Sequence, residues 1–261
     1  KGEIALAIDY LDWYAEEAKR IYGETIMPSH SEKRLFAIKQ PVGVVGAVTP
    51  WNFPVAMITR KIAPALAAGC TVVLKPASST PLSAIKVFES FHASGLPSGV
   101  VNLVIGDAEQ VVGEFTRNPL VRKLTFTGST EVGKKLIRDS ADTVKNVSME
   151  LGGHAPFIVF SDADLDAAVE GAVASKFRNA GQTCICANRI YVERSIAEEF
   201  GEKLAQRVSQ LRIGYSLAED VDIGPLIDKN ALQKVEDHVQ DAIKHHGKVL
   251  CGGKPAETSY D

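Results

Sequence analysis

Four apolar runs decide the fold: PVGVVGAVTP at residues 41–50, TVVLKP at 71–76, VVNLVIG at 100–106 and VRKLTFTG at 121–128. Each has the length of one buried strand and is followed by a segment of helical character. The first helix spans 53–68 and stops at Gly69. The second, TPLSAIKVFESFHASG, has Thr80 as N-cap, Pro81 in its first turn and Gly95 just past its end. AEQVVGEFTRN and TEVGKKLIRDSAD supply the third and fourth. Four strands alternating with four helices across residues 42–142 predict an α/β fold, a Rossmann-like parallel sheet with right-handed crossovers and flanking helices. Ligands in such sheets sit at the carboxyl ends of the strands. Those ends are Thr49–Asn52, Lys75–Ser78, Gly106–Asp107 and Thr127–Ser129.

Working outward, residues 1–22 carry Ile4, Ile8, Leu11, Ala15 and Ala18 at helical spacing, with Gly23 as a stop. Residues 24–40 read as a short polar hairpin that turns near Pro28–Ser31. On the other side, KNVSMELGG and APFIVF read as strands around Gly152-Gly153, and RIYVE as another. SDADLDAAVEGAVASKF is a helix with acids in its first turn, where the macrodipole favours them. Residues 195–212 and 229–246 are helical.

The 261 residues are 45% hydrophobic and 23% charged, with a formal net charge of −3. That is too apolar and balanced for disorder, and not basic enough for nucleic acid to be the main partner. No apolar run approaches the length of a membrane span. The chain opens on Lys1 and closes in Thr258–Asp261 without a terminal element, so it is expected to be a piece of a longer protein. Four cysteines are not a disulfide framework. Cys70 and Cys251 read as small core residues. Cys184 and Cys186 form a C-x-C without the second pair that a zinc site needs, and His238, His245 and His246 do not supply one. No metal site is expected.

Two familiar motifs fail. Asp162-x-Asp164-x-Asp166 begins like a calcium loop, but Ala167 and Val173 stand where the loop needs Gly and Glu, so a capped helix is the better reading. GSTEVGKK at 128–135 nearly makes a phosphate loop, but Lys135 replaces the magnesium-binding hydroxyl. A strand-to-helix turn of this kind still offers backbone N–H groups and a positive helix end to an anion. No G-x-G-x-x-G is present.

Five motifs occur in order: PWNFP at 50–54, LKPASSTP at 74–81, FTGSTEVG at 126–133, MELGG at 149–153 and FRNAGQTC at 177–184. Together they resemble the NAD(P)-dependent aldehyde dehydrogenase superfamily over nearly the whole chain. MITRKIAPALAAGCTVVLKP and SKFRNAGQTCICANR resemble its succinate-semialdehyde dehydrogenase branch. The resemblance implies a remnant N-terminal helix at 1–22, an oligomerisation hairpin at 23–41, a cofactor-binding domain at 42–149 and the first part of a second α/β catalytic domain at 150–261. It also implies a homo-oligomer, dimer or tetramer, acting in the cytoplasm on γ-aminobutyrate breakdown, with neither membrane nor nucleic-acid partners.

The resemblance further assigns roles. Cys184 is the nucleophile, Asn52 an oxyanion donor beside the Cys184 N–H, and Glu150 the general base that activates water. Thr49, Pro50, Trp51, Lys75, Ala77, Ser78, Gly106, Gly128, Ser129, Val132 and Leu151 form the cofactor set. Relatives that prefer NAD often carry Glu at position 78, where a carboxylate would repel a 2′-phosphate. Ser78 can donate to one, so NADP is expected, with NAD possible. Arg60 and Arg178 are expected to hold the distal carboxylate of succinate semialdehyde. Glutarate semialdehyde or another aldehyde is the alternative substrate, and a non-catalytic nucleotide-binding role the distant one. Cys186 reads as a packing residue, although a reversible bond to Cys184 is conceivable.

Overall fold

The computed structural model describes residues 1–215 and 220–256. The terminal stretch Thr258–Asp261 lies outside the described residues. The chain forms two compact units, Lys1–Gly152 and Gly153–Asp261.

In the first unit the expected parallel sheet forms, with strands β3 (Val44–Val48), β4 (Thr71–Lys75), β5 (Val101–Leu103), β6 (Val121–Thr127) and β7 (Asn146–Glu150) in the order β5-β4-β3-β6-β7. A short antiparallel hairpin, β1 (Glu24–Ile26) and β2 (Leu35–Ala37), precedes it. The helices are α1 (Gly2–Glu17), α2 (Ala56–Ala67), α3 (Pro81–Ala93), α4 (Ala108–Arg117) and α5 (Thr130–Asp139). Alternation along the strands feeds two cores, one on each face of the sheet. Val45, Ala47, Val72 and Leu74 pack with Ile58 and Ile62 of α2 and with Ala84 and Phe91 of α3. Leu124 and Phe126 pack with Val112 and Phe115 of α4 and Leu136 of α5. Gly46 is required by that second layer: a Cβ there would stand 3.0 Å from the Phe115 ring, so any side chain would push α4 off β3.

Two helix starts differ from the sequence reading. Thr80 precedes α3 but makes no cap hydrogen bond, because its backbone (φ −135°, ψ 48°) turns the hydroxyl away from the helix amides; Pro81 also removes one of them. The helix expected from residue 53 starts later, at Ala56, and Glu3 of α1 caps it, its Oε1 accepting from the N–H groups of Val55 (2.7 Å) and Ala56 (3.2 Å). Ala7 of α1 packs against Ala56 and Met57 at the same junction.

The second unit contains a βαβ crossover. β8 (Ala155–Val159) and β9 (Ala187–Val192) pair in parallel, joined through α6 (Leu165–Phe177). Asp164 caps α6 by accepting from the Ala167 N–H at 3.0 Å, as the capped-helix reading of the acid triplet requires. Val159, Val169, Ala172 and Phe200 of α7 (Ala197–Ser209) form its core. α8 (Lys229–Lys244) follows. Cys70 is buried as expected, whereas Cys251 is only half-buried, in a Gly-rich turn.

A charged side chain capping another helix concentrates the stability of the α1–α2 junction in one residue. Glu3→Ala is expected to cost about 1–2 kcal/mol in denaturant unfolding, and Glu3→Gln less, since it keeps an acceptor but loses the charge at the helix N-terminus.

Candidate active site

The strand order reverses between β3 and β6. From β3 the chain runs outward to β4 and β5, then returns to add β6 and β7 on the other side. The crevice at the carboxyl ends of β3 and β6 is therefore the expected ligand position. Thr49 follows β3 and Thr127 ends β6, and both hydroxyls are buried without a hydrogen-bond partner. The hydroxyl of Thr80, just before α3, is in the same state. Buried hydroxyls are rarely left unpaired without a ligand or water to satisfy them. Pro50, Trp51 and Asn52 follow Thr49 and are half-buried.

At the end of β4, the buried Lys75 ammonium donates to the Pro76 carbonyl (2.9 Å) and to the Ser78 hydroxyl oxygen (3.2 Å). Burial pushes its pKa below the usual lysine value, and Asp107 opposes the shift. Because Ser78 accepts from Lys75, its own O–H proton points elsewhere and can donate to a ligand. Ala77 and Gly106 flank this corner on the loops after β4 and β5.

The turn after β6 is tighter than the sequence implied. The Gly128 N–H is not open to an anion: it donates to the Glu150 carbonyl at 3.1 Å and ties the turn to the end of β7. Gly128 itself is obligatory, since a Cβ there would collide with the Phe126 ring. Ser129 caps α5 by accepting from the Val132 N–H at 3.3 Å, so its hydroxyl proton remains to donate. Val132 is exposed on the first turn, and Leu151 packs against Gly133 from the strand side.

α2 crosses the face of the sheet that is apolar over β3 and β4 and polar over β6 and β7. Over the polar half, Arg60 Nη2 lies 3.2 Å from Glu150 Oε2, and Lys61 Nζ donates to Thr125 Oγ1 at 3.1 Å. Lys123 Nζ donates to Ser148 Oγ at 2.7 Å. Lys61 is only 6% exposed, and burial lowers its pKa to about 8, helped by Arg60 and Lys123 and opposed by Glu150. Sequence reasoning missed Lys61, yet the signal was present. Ile58, Lys61, Ile62 and Ala65 lie at i, i+3, i+4 and i+7, so Lys61 interrupts the buried stripe of the helix.

Arg178 and Cys184 belong to the second unit. α6 ends at Phe177, and Asn179 (φ 52°), Ala180 (φ 55°) and Gly181 (φ 77°) then adopt left-handed backbone in succession. Cys184 follows and is exposed, whereas Cys186 is 2% exposed, its thiol within reach of the carbonyls of Gly181 (3.2 Å) and Thr183 (3.3 Å). Both are free thiols. Among the described residues no cluster of His, Cys, Asp or Glu could hold a metal ion.

A parallel sheet whose strand order reverses, with buried unpartnered hydroxyls at the reversal, defines a doubly wound α/β scaffold. The Aldehyde dehydrogenase family matches residues 1–261, and the chain belongs to it. It is 60% identical over 257 residues (98% of this chain, 53% of the relative) to succinate-semialdehyde dehydrogenase [NADP(+)] of Escherichia coli. It is 59% identical over 260 residues to a glutarate-semialdehyde dehydrogenase of Pseudomonas putida, covering 100% and 54%. To a 3-sulfolactaldehyde dehydrogenase of Pseudomonas putida it is 57% identical over 253 residues, covering 97% and 52%. A crystal structure described as an E. coli NADP-dependent enzyme superposes with a TM-score of 0.97 at 60% identity, covering 98% of this chain and 53% of that one. The chain thus spans about half the length of the curated relatives it matches.

Lys61 makes stability depend on pH. Its folded pKa, about 8, lies below the unfolded 10.5, so the unfolded chain binds more protons between those values and stability rises with pH there. Raising the pH from 7 to 10 should therefore remove about 2–3 kcal/mol of burial cost at this side chain. Lys61→Met is expected to gain most over the parent near pH 7 and to lose that advantage by pH 10, as read from denaturant unfolding at the two pH values.

Proposed function

We propose that the full-length protein containing this chain oxidises a short aldehyde acid, succinate semialdehyde in the first instance, to the diacid through a cysteine thioester. The observation that carries the reading is Cys184, an exposed free thiol in a strained loop of a chain belonging to this family. Its thiolate adds to the aldehyde carbon to give a thiohemiacetal, whose oxyanion is held by the Asn52 amide and the Cys184 N–H. NADP, when bound, would supply the hydride acceptor for the oxidation to the thioester. Water then adds to the thioester carbon, Glu150 takes the water proton, the C–S bond breaks and the thiolate leaves.

The unpartnered hydroxyls of Thr49, Thr80 and Thr127 suit a bound dinucleotide, and Lys75 with Ser78 suits a ribose phosphate. In this reading Gly106, Ala77, Gly128, Ser129, Val132 and Leu151 shape the same cradle, and Pro50 and Trp51 line it. A Ser at 78 lacks the negative charge that would repel a 2′-phosphate, which favours NADP over NAD. Lys135 is drawn to Asp139 at 2.6 Å along the surface of α5, as a plain helix surface residue would be. That speaks against the phosphate-loop alternative.

The names of the three relatives describe aldehydes that each carry a second, anionic end: succinate, glutarate or a sulfonate. Arg60 and Arg178 are the side chains proposed to hold that end, their planar forks matching a carboxylate. Glutarate semialdehyde stays the near alternative, because one methylene discriminates by only about 1–3 kcal/mol. The hairpin of β1 and β2 exposes Ile26, Met27, Leu35, Phe36 and Ile38, a surface suited to a second copy in a homo-oligomer. No helix among the described residues is long and apolar enough to cross a membrane. All four cysteines are free, in keeping with a reducing compartment such as the cytoplasm.

Two measurements on the full-length protein test this. NADPH formation with succinate semialdehyde should vanish in Cys184→Ala, while Arg178→Ala should raise KM for the semialdehyde by about ten- to a hundredfold and leave butanal nearly unaffected. Equal effects on both aldehydes would remove the carboxylate role. Ser78→Glu should shift the ratio of kcat/KM for NADP over NAD toward NAD by at least about tenfold; an unchanged ratio would refute the role of Ser78.

A further inference from the structure

The two side chains with separate tasks in that mechanism are bound to each other. Arg60 Nη2 and Glu150 Oε2 form an ion pair at 3.2 Å, with the side chains 37% and 53% exposed. A carboxylate oxygen aimed at a guanidinium is not aimed at a water. A guanidinium holding one carboxylate is a poorer anchor for another, because the two anions repel. Resting on the reading above, in which Arg60 seats the distal carboxylate and Glu150 activates water, we propose that the substrate's own acid group releases the base. Glu150 rests on Arg60 until the distal carboxylate takes the guanidinium, and the freed Glu150 then serves thioester hydrolysis.

The surroundings suit an exchange rather than a lock. A pair this exposed is held weakly, so an incoming bidentate carboxylate can displace it. The backbone of Glu150 stays fixed because its carbonyl accepts the Gly128 N–H at 3.1 Å, so only the side chain has to turn. The neighbouring cations do not take Arg60's place. Lys61 Nζ is buried against Thr125, and Lys123 Nζ is engaged with Ser148. A Cys184 thioester without a distal acid then leaves Glu150 on Arg60, so selectivity for the acid enters at hydrolysis as well as at binding.

The test uses the full-length protein acylated by 4-nitrophenyl butyrate or 4-nitrophenyl hemisuccinate, which leave thioesters of equal chain length without and with a distal carboxylate. Nitrophenolate appears in a burst that reads acylation, then in a steady phase that reads deacylation, with no cofactor required. The steady phase should be about fivefold faster for the succinyl than for the butyryl thioester, the scale of an exposed ion pair. Arg60→Gln should raise the butyryl steady rate by a similar factor and erase the difference. Millimolar acetate, a free carboxylate for Arg60, should accelerate butyryl turnover by the unmodified protein. An Arg60→Gln variant in which butyryl deacylation slows or stays the same, or no response to acetate, overturns the exchange. Glu150→Gln that leaves both steady rates intact overturns instead the assignment of the base, and the exchange falls with it.

Discussion

The candidate site depends on one constraint: β3 is hydrogen-bonded in parallel on both sides, to β4 from Val44–Thr71 to Val48–Lys75 and to β6 up to Val48–Phe126. Its neighbours are β4 on one side and the later β6 on the other, so the chain crosses over from β3 in one direction and returns to its other edge, and the loops beyond β3 and β6 separate. The separation strands Thr49 and Thr127 as buried hydroxyls. The pairing to β4 also continues past the strand, where the Thr49 N–H donates to the Lys75 carbonyl at 3.2 Å. That bond fixes the backbone from which Lys75 reaches Ser78. The corner formed by Thr49, Lys75 and Ser78 and the sheet topology are one arrangement seen at two scales.

α2 carries the same constraint across the sheet to β6 and β7. It must bury Ile58 and Ile62 over β3 and β4, yet its path continues over β6 and β7, whose residues on that face are Lys123, Thr125, Ser148 and Glu150. The helix meets this change by carrying charge at successive positions, Arg60 toward Glu150 and Lys61 toward Thr125. Lys61 makes a hydrogen bond on the buried face at a desolvation cost visible in its lowered pKa. Glu3 fixes the start of this helix from outside the sheet, and so the positions of both cations.

The fold was legible because its signals are local. Strand alternation, Gly69 and Gly95 past helix ends, and Pro81 in a first turn each follow from backbone chemistry at those residues. Membership of the family was legible through five ordered motifs. Contacts between distant segments were not legible. Nothing in the spacing of residues 1–22 reveals that Glu3 caps a helix more than fifty residues away, and nothing in MELGG reveals that Glu150 is held by Arg60. Thr80 failed as a cap for a reason that residue type cannot show, its ψ of 48°. Lys61 lay between these cases, visible as a charge inside an apolar stripe but without a partner until β6 was placed beneath it.

The loop before Cys184 shows what holds a strained site in place. Left-handed backbone costs an L-residue about 1 kcal/mol, and Asn179 and Ala180 both adopt it where only Gly181 does so freely. Such a run persists only if its surroundings over-determine it. Here the Gln182 side chain donates to the Asn179 carbonyl at 3.1 Å and accepts from the Ile227 N–H at 3.0 Å, while the buried Cys186 thiol sits against the carbonyls of Gly181 and Thr183. Cys186 thus acts within the loop as a polar packing residue beneath the exposed Cys184. These bonds hold the backbone on both sides of residue 184, the preorganisation that the proposed oxyanion role of its N–H would draw on. The strain at Ala180 and the rigidity at Cys184 are therefore two consequences of the same hydrogen-bonded loop.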